Sequence, residues 1–78
     1  MKLYAVYFNE YNENCYVRVF KTEEAREQAI TKYINDSVLC LLKEGYPEEE
    51  IIVGVDSVYV SGSDIFYDYE ELDCVLEG

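Results

Sequence analysis

The side chains in this sequence that could do chemistry are mainly carboxylates, and several of them alternate along one strand-like run. Residues 65–69 and their neighbours place Asp64, Asp68 and Glu70 on one face, with Phe66 between them. Alternate residues of a strand lie about 6.7 Å apart. A row of negative charge at that spacing could serve acid–base catalysis, cation binding or imitation of a phosphate backbone.

Catalysis is disfavoured because the sequence lacks most of the residues that enzymes use. It contains no His, so the commonest general base, zinc ligand and triad partner are missing. The four glycines are isolated, so there is no glycine-rich phosphate loop. A chain this small also rarely encloses a substrate pocket. The sequence therefore predicts that the protein is not an enzyme.

Metal and cofactor binding are disfavoured as well. The acids of residues 64–73 fall at uneven steps and lack the alternating ligands and central Gly of a calcium-binding loop. Cys15, Cys40 and Cys74 lie 25 and 34 residues apart, which fits neither a zinc knuckle nor a redox pair. We expect buried free thiols, no metal site and no cofactor.

Charge is segregated along the chain. Residues 44–78 hold eleven of the seventeen acids and neither Lys nor Arg, whereas residues 1–43 hold six acids and all six bases. The net charge of −11 therefore arises in the second part. Direct nucleic-acid binding is disfavoured, since phosphates require Lys or Arg. The acids could simply provide solubility, but a solubilising surface intersperses both signs, and the segregation favours a basic partner.

The first elements that position these acids form a predicted β-hairpin. Residues 2–9 (KLYAVYFN) are apolar on both faces, which indicates a central strand. Residues 15–21 (CYVRVFK) read as the return strand, after an Asn-rich connection over residues 10–14.

A helix is predicted next, over residues 23–44. Thr22 is a suitable N-cap, two glutamates follow it, and Gly45 can adopt the left-handed conformation that ends a helix. An amphipathic stripe runs along it, formed by Ala25, Ala29, Ile30, Tyr33, Ile34, Ser37, Val38 and Leu41. Residues 35–37 (NDS) are weak helix formers, so a break there, with Asp36 capping a second short helix, is an alternative.

The second half predicts two more strands. Residues 51–60 read as a β-branched strand interrupted at Asp56 and Ser57, and residues 65–69 as the last strand. The tail, residues 71–78, could dock as a short helix or an edge strand, or fray. The fold class is then α+β: a four-stranded antiparallel sheet with one helix packed on one face (ββαββ), in a single domain of residues 1–78.

The candidate partner-binding residues are acids of the second half and one aromatic residue set among them. They are Asp64, Phe66, Asp68, Glu70, Glu71, Asp73, Glu48, Glu49 and Glu50. Phe66 is the expected aromatic anchor, since aromatic side chains often dominate binding energy at interfaces.

In overall character the chain resembles small acidic inhibitors of phages and mobile elements. The shared features are short length, strong acidity, absence of histidine and a sheet-plus-helix plan. Such inhibitors include anti-CRISPR and anti-restriction proteins that act as nucleic-acid mimics. The resemblance implies a non-catalytic blocker of a bacterial defence nuclease, working in the cytoplasm of a bacterial host cell. It rests on no motif, so no functional residue is carried over.

A second hypothesis is a small cytosolic protein–protein interaction module without mimicry. In both hypotheses the partner is a protein, neither nucleic acid nor membrane is bound directly, and the chain is a monomer or small homo-oligomer. No signal peptide is visible, and no apolar run approaches the roughly 20 residues of a membrane span. The effect of salt separates the two hypotheses. The affinity of a charged mimic should fall steeply with ionic strength, whereas the affinity of an apolar interface should not.

Overall fold

A computed structural model describes residues 2–10, 14–63 and 65–75, with the backbone alone for 73–75. In this part of the chain the elements are β1 (Lys2–Glu10), β2 (Asn14–Phe20), α1 (Glu23–Lys43), a 3-10 turn (Glu48–Glu50), β3 (Ile51–Val53), β4 (Ser57–Val60) and β5 (Phe66–Val75). The strands form one sheet in the order β2-β1-β5-β4-β3, and every neighbouring pair is antiparallel. The predicted α+β class, with one helix on an antiparallel sheet, is confirmed.

The sheet has five strands among the described residues, so the prediction of four was wrong. Residues 51–60, predicted as one interrupted strand, form the two strands of a hairpin, β3 and β4. The chain reverses after Val53, where the Gly54 N–H donates to the Ser57 carbonyl at 2.7 Å. A Cβ at position 54 would lie 3.0 Å from the Ser57 Oγ, so glycine suits this tight reversal.

The last strand is longer than predicted and lies at the centre of the sheet. β5 continues past Tyr69 to Val75, so of the three alternatives for the tail a strand is correct for residues 71–75, and a short helix or a frayed tail is wrong for them. Residues 76–78 lie outside the described residues. On one side β5 pairs with β1, along the register from Lys2↔Val75 to Glu10↔Tyr67, and on the other side its residues 66–68 pair with β4. β1 is a central strand, as predicted, because it lies between β2 and β5. This central position explains why both faces of β1 are apolar.

The helix begins and ends close to its predicted bounds. The Thr22 Oγ1 accepts the Ala25 N–H at 3.1 Å, and Gly45 has a positive φ of 97° just beyond the helix end. The helix is not broken at residues 35–37. There the buried Ser37 hydroxyl donates to the Tyr33 carbonyl at 2.7 Å, so its hydrogen-bonding need is met within the helix.

The hydrophobic core lies between α1 and one face of the sheet. It consists of Val6, Phe8, Ile30, Tyr33, Leu41, Val58, Val60 and Tyr67. Strand alternation then places the even-numbered residues of β1 and the odd-numbered residues of β5 toward the helix. We call the opposite side of the sheet the open face. It carries Ala5, Tyr7 and Asn9 from β1, and Asp68 and Glu70 from β5.

The expectation of buried thiols was wrong for Cys15 and Cys40, which are both free and exposed. Cys15 lies on the outermost strand, and Cys40 lies beside the core stripe of the helix rather than on it. In the described part of the chain, no helix combines the length and apolar character needed to cross a membrane.

Candidate functional site

The candidate site is an acidic depression at the start of β4, where β5 extends beyond the residues that pair with β4. β4 pairs with β5 only along residues 66–68, and a last backbone bond joins the Tyr69 N–H to the Asp56 carbonyl at 3.0 Å. Beyond this point one edge of β5 is uncovered among the described residues. The depression has a volume of about 730 Å³. We call it the acidic notch, after its four carboxylates: Asp56, Asp68, Glu70 and Glu71.

Two of these carboxylates come from the open face of the sheet. Asp68 lies opposite Asn9 of β1 in the register, and Glu70 lies opposite Tyr7. They alternate on one side of a central strand, as the sequence predicted, so their Cα atoms are about 6.7 Å apart. Glu70 is exposed and Asp68 is half-buried, because Asp68 lies where β4 still covers the edge of β5.

The turn between β3 and β4 supplies the third carboxylate, Asp56. The Tyr69 hydroxyl donates to the Val55 carbonyl at 3.0 Å, and this bond holds the turn against β5. Asp56 itself is exposed. Asp56, which was not among the predicted site residues, thus lines the notch together with Asp68 and Glu70.

Glu71, the fourth carboxylate, differs from the others because it has a cationic partner. It points to the helix side, where its Oε2 lies 3.4 Å from the Nη2 of Arg26. The Arg26 side chain is only 6% exposed, whereas that of Glu71 is 48% exposed. Glu71 therefore contributes less net charge to the acidic notch than Asp56, Asp68 and Glu70 do.

The floor of the notch is fixed by hydrogen bonds that connect both faces of the sheet. The Asn9 side chain is buried on the open face, and its Oδ1 accepts the Cys15 thiol at 3.1 Å. From the helix side, the Tyr33 hydroxyl donates to the Asn9 carbonyl at 2.8 Å. The acids therefore stand on a rigid support, which limits the entropy lost when a partner binds.

Two tyrosines that line the notch, Tyr7 and Tyr69, have raised pKa values, to which the nearby carboxylates contribute. A hydrogen bond with Cys15 raises the pKa of Tyr7, and the charges of Asp68 and Glu70 raise it further. Burial raises the pKa of Tyr69, and the charges of Glu71 and Asp56 add to that effect. Each of the four carboxylates thus adds to the rise in pKa of one of these two tyrosines.

The structure brings together only some of the predicted site residues. Asp68, Glu70 and Glu71 meet at the notch. Phe66 shares the open face but pairs with Tyr59 and does not line the notch. The exposed Glu48, Glu49 and Glu50 lie at the far end of β3, where the Glu50 carbonyl accepts the Ser61 N–H at 2.8 Å. Asp64 lies outside the described residues, and so does the side chain of Asp73.

A second depression lies between α1 and the β1–β2 hairpin and has a volume of about 340 Å³. Its lining includes charges of both signs, from Glu10, Asp36, Arg18 and Lys32. The acidic notch, in contrast, has no Lys or Arg among its described lining residues. Within the described chain, no three acidic or thiol side chains gather closely enough to hold a metal ion.

Sequence reasoning missed Tyr7, Asn9 and Asp56 as site residues. Tyr7 and Asn9 alternate on β1, but their relevance depends on the pairing of β1 with β5, which strand patterns alone do not specify. Asp56 could have been found, because an Asp–Ser pair between two β-branched runs is a turn signal.

No known protein family matches this chain, and neither curated proteins nor solved structures show a significant similarity to it.

Proposed function

We propose that the protein is a non-catalytic inhibitor that uses its acidic notch to occupy the basic nucleic-acid-binding groove of a bacterial defence nuclease. It would then belong with the acidic nucleic-acid mimics of the anti-CRISPR and anti-restriction kind, and act in the cytoplasm of a bacterial host cell. The proposal is supported mainly by one observation: Asp56, Asp68, Glu70 and Glu71 surround one depression that no described base lines.

The spacing of the carboxylates is compatible with a phosphate backbone. Asp68 and Glu70 are alternate residues of β5, so their Cα atoms lie about 6.7 Å apart, which is of the same order as the spacing of charges along a nucleic-acid strand. Lys and Arg side chains placed to meet phosphates could therefore reach Asp68 and Glu70 as well. Their flexible stems would accommodate the remaining mismatch.

Rigidity of the support favours a tight complex. Asp68 and Glu70 project from a central strand that is paired over nine residues with β1. A mimic on a flexible tail would lose more conformational entropy on binding. The unbalanced charge of the second half should also attract a basic groove over a distance of about 8–10 Å at physiological salt, and so speed association.

The proposal can be tested with a panel of purified bacterial defence nucleases, including RNA-guided and restriction enzymes. We expect the wild-type protein to inhibit DNA cleavage by at least one of them. The variant Asp56→Asn/Asp68→Asn/Glu70→Gln should lose this inhibition. A matched control, Glu24→Gln/Asp36→Asn/Glu44→Gln, neutralises three exposed acids of the helix region and should retain it. Equal inhibition by the two variants would reject the acidic notch as the inhibitory surface.

The second hypothesis, an interaction module without mimicry, is favoured by apolar exposure on the open face. The side chains concerned are Val17, Val19, Ile52, Tyr59 and Leu72, each exposed by 36–55%. A complex formed through these residues would lose little affinity between about 0.05 and 0.5 M salt, whereas a complex formed by a charged mimic would lose affinity steeply over the same range. The salt dependence of any confirmed complex therefore separates the two hypotheses.

A further inference from the structure

Among the described strands, β2 forms an uncovered edge of the sheet. It spans seven residues, Asn14–Phe20, and among the described strands it pairs only with β1. All of its residues except Phe20 are exposed, with Val17 at 54% and Val19 at 55%. One row of backbone N–H and C=O groups on this strand therefore faces outward, which is a template for pairing with another chain.

The other uncovered edges have the protections that proteins normally use, and β2 has fewer of them. β3 is only three residues long and is followed by the tight reversal at Gly54. The uncovered part of β5 carries Glu70 and Glu71. β2 contains neither Pro nor Gly nor an acid, and its one charged residue is Arg18.

We propose that β2 pairs antiparallel with β2 of a second copy of this chain, so that two five-stranded sheets form one ten-stranded sheet. A two-fold axis at Val17 is the register that pairs all seven residues. Val17 then lies opposite Val17 of the partner subunit. Cys15 lies opposite Val19 of the partner subunit on the open face, and Tyr16 lies opposite Arg18 of the partner subunit on the helix side.

The distribution of charge favours this edge over any other for self-association. The net charge of −11 would normally oppose contact between two copies. However, the eleven unbalanced acids belong to residues 44–78, whereas β2 lies in the neutral first part. In the proposed dimer the two β5 strands are five strand spacings apart, or about 24 Å at 4.8 Å each. This is well beyond the screening length of about 8 Å at physiological salt.

The oligomeric state of the full chain tests the proposal by sedimentation equilibrium. We expect the mass to rise with concentration from 9.1 kDa toward about twice that value. Raising the salt from about 0.05 to 0.5 M should strengthen the dimer by screening the residual repulsion. A monomer mass at every concentration up to about 1 mM, a range in which even weak complexes form, would overturn the proposal.

Two valines of equal exposure allow a matched substitution test. Val17 on β2 and Val53 on β3 are each 54% exposed. Val17→Lys places like charges at the two-fold axis and should raise the dimer dissociation constant by about tenfold or more. Val53→Lys should leave it within about twofold, since β3 is not in the interface. A dimer equally sensitive, or equally insensitive, to both substitutions would contradict pairing through β2.

Cross-linking tests the register independently of stability. The background is Cys15→Ala/Cys40→Ala/Cys74→Ala, in which Val17→Cys is introduced. Facing residues of an antiparallel pair have Cα atoms about 4.5–5.5 Å apart, a distance that a disulfide can span. We expect rapid formation of a cross-linked dimer on mild oxidation. Val55→Cys is the control, because Val55 is 95% exposed but lies on the β3–β4 turn. Equal cross-linking of the two variants would exclude the proposed register.

Discussion

Arg26 of the helix and Glu71 of the central strand β5 form an ion pair with an N–O distance of 3.4 Å. The same guanidinium donates to the Leu72 carbonyl at 3.2 Å and to the Ala5 carbonyl at 3.5 Å. It also lies 5.2 Å from the centre of the Tyr4 ring. One basic side chain from the neutral half of the sequence thus joins α1 to both central strands and to the acidic half.

We expect Arg26→Ala to be strongly destabilising. It removes a buried charge together with its hydrogen bonds to two carbonyl groups, and it leaves Glu71 without its cation. The expected loss is about 2–4 kcal/mol in the free energy of unfolding, measured by urea denaturation. The matched control is Arg18→Ala, because Arg18 is exposed on β2 and contacts the Phe20 ring. Arg18→Ala should lower the free energy of unfolding by less than about 1 kcal/mol.

Glu71→Gln should cost only about 1 kcal/mol or less, because Glu71 is half exposed and solvent screens the pair. If Arg26→Ala were no more destabilising than Arg18→Ala, the view of Arg26 as the main polar link between helix and sheet would be wrong.

Alkaline pH should destabilise the protein through its tyrosines. Burial raises the pKa of Tyr33, and the negative charge of Glu10 raises it further. Because the folded pKa lies above the unfolded value of about 10, the stabilisation is complete below pH 10 and is lost as the pH rises above it. The urea midpoint should therefore fall from about pH 10 upward.

Tyr33→Phe should reduce this alkaline loss. It should also lower stability at pH 7, because the hydroxyl donates to the Asn9 carbonyl at 2.8 Å. The control is Tyr59→Phe, since Tyr59 is 38% exposed on the open face. An unchanged pH dependence in Tyr33→Phe would show that other groups govern alkaline unfolding.

The thiols should be dispensable. Cys15 and Cys40 are exposed, so the variant Cys15→Ala/Cys40→Ala/Cys74→Ala should fold with a stability loss of about 1–2 kcal/mol at most. The Cys40 Sγ lies 3.5 Å from the Tyr67 hydroxyl, and the Cys15 thiol bonds Asn9, so small losses are expected at both positions. A variant that folds but no longer binds its partner would show that a thiol is functional.

Much of the fold could be predicted because the residues that begin and end the helix agree with the pattern of apolar residues that it buries. Thr22 at the helix start, Gly45 beyond its end and the apolar stripe of α1 are all read directly from residue types. The burial of Arg26 could also have been read from the pattern. It lies four residues before Ile30 and seven before Tyr33, and so falls on the same helix stripe.

The arrangement of the second half could not be predicted, because it depends on pairing between distant strands. The three-residue strand β3 is too short to give a periodic signal of its own. The long β5 is stabilised by β1, more than fifty residues earlier, rather than by its own sequence pattern. The acidic notch needs both features, since it forms at the turn between β3 and β4, beside the part of the long β5 that extends past the start of β4.

Within the candidate site, neutralising single carboxylates should have little effect. Asp68→Asn or Glu70→Gln alone should each cost less than about 1 kcal/mol of binding free energy, because exposed charges contribute little individually. Asp56→Asn/Asp68→Asn/Glu70→Gln should weaken binding by about a hundredfold or more, mainly through slower association. Stopped-flow measurements should show this difference. A single substitution that abolished binding would indicate one specific contact rather than a charged surface.

The most direct test of nucleic-acid mimicry is competition for one nuclease between labelled duplex DNA and this protein, followed by fluorescence anisotropy. We expect wild-type protein to displace the DNA completely and to lose potency steeply between about 0.05 and 0.5 M salt. Asp56→Asn/Asp68→Asn/Glu70→Gln should need about a hundredfold higher concentration, and Glu24→Gln/Asp36→Asn/Glu44→Gln should match the wild type. A stable ternary complex, in which the nuclease holds DNA and this protein together, would contradict mimicry.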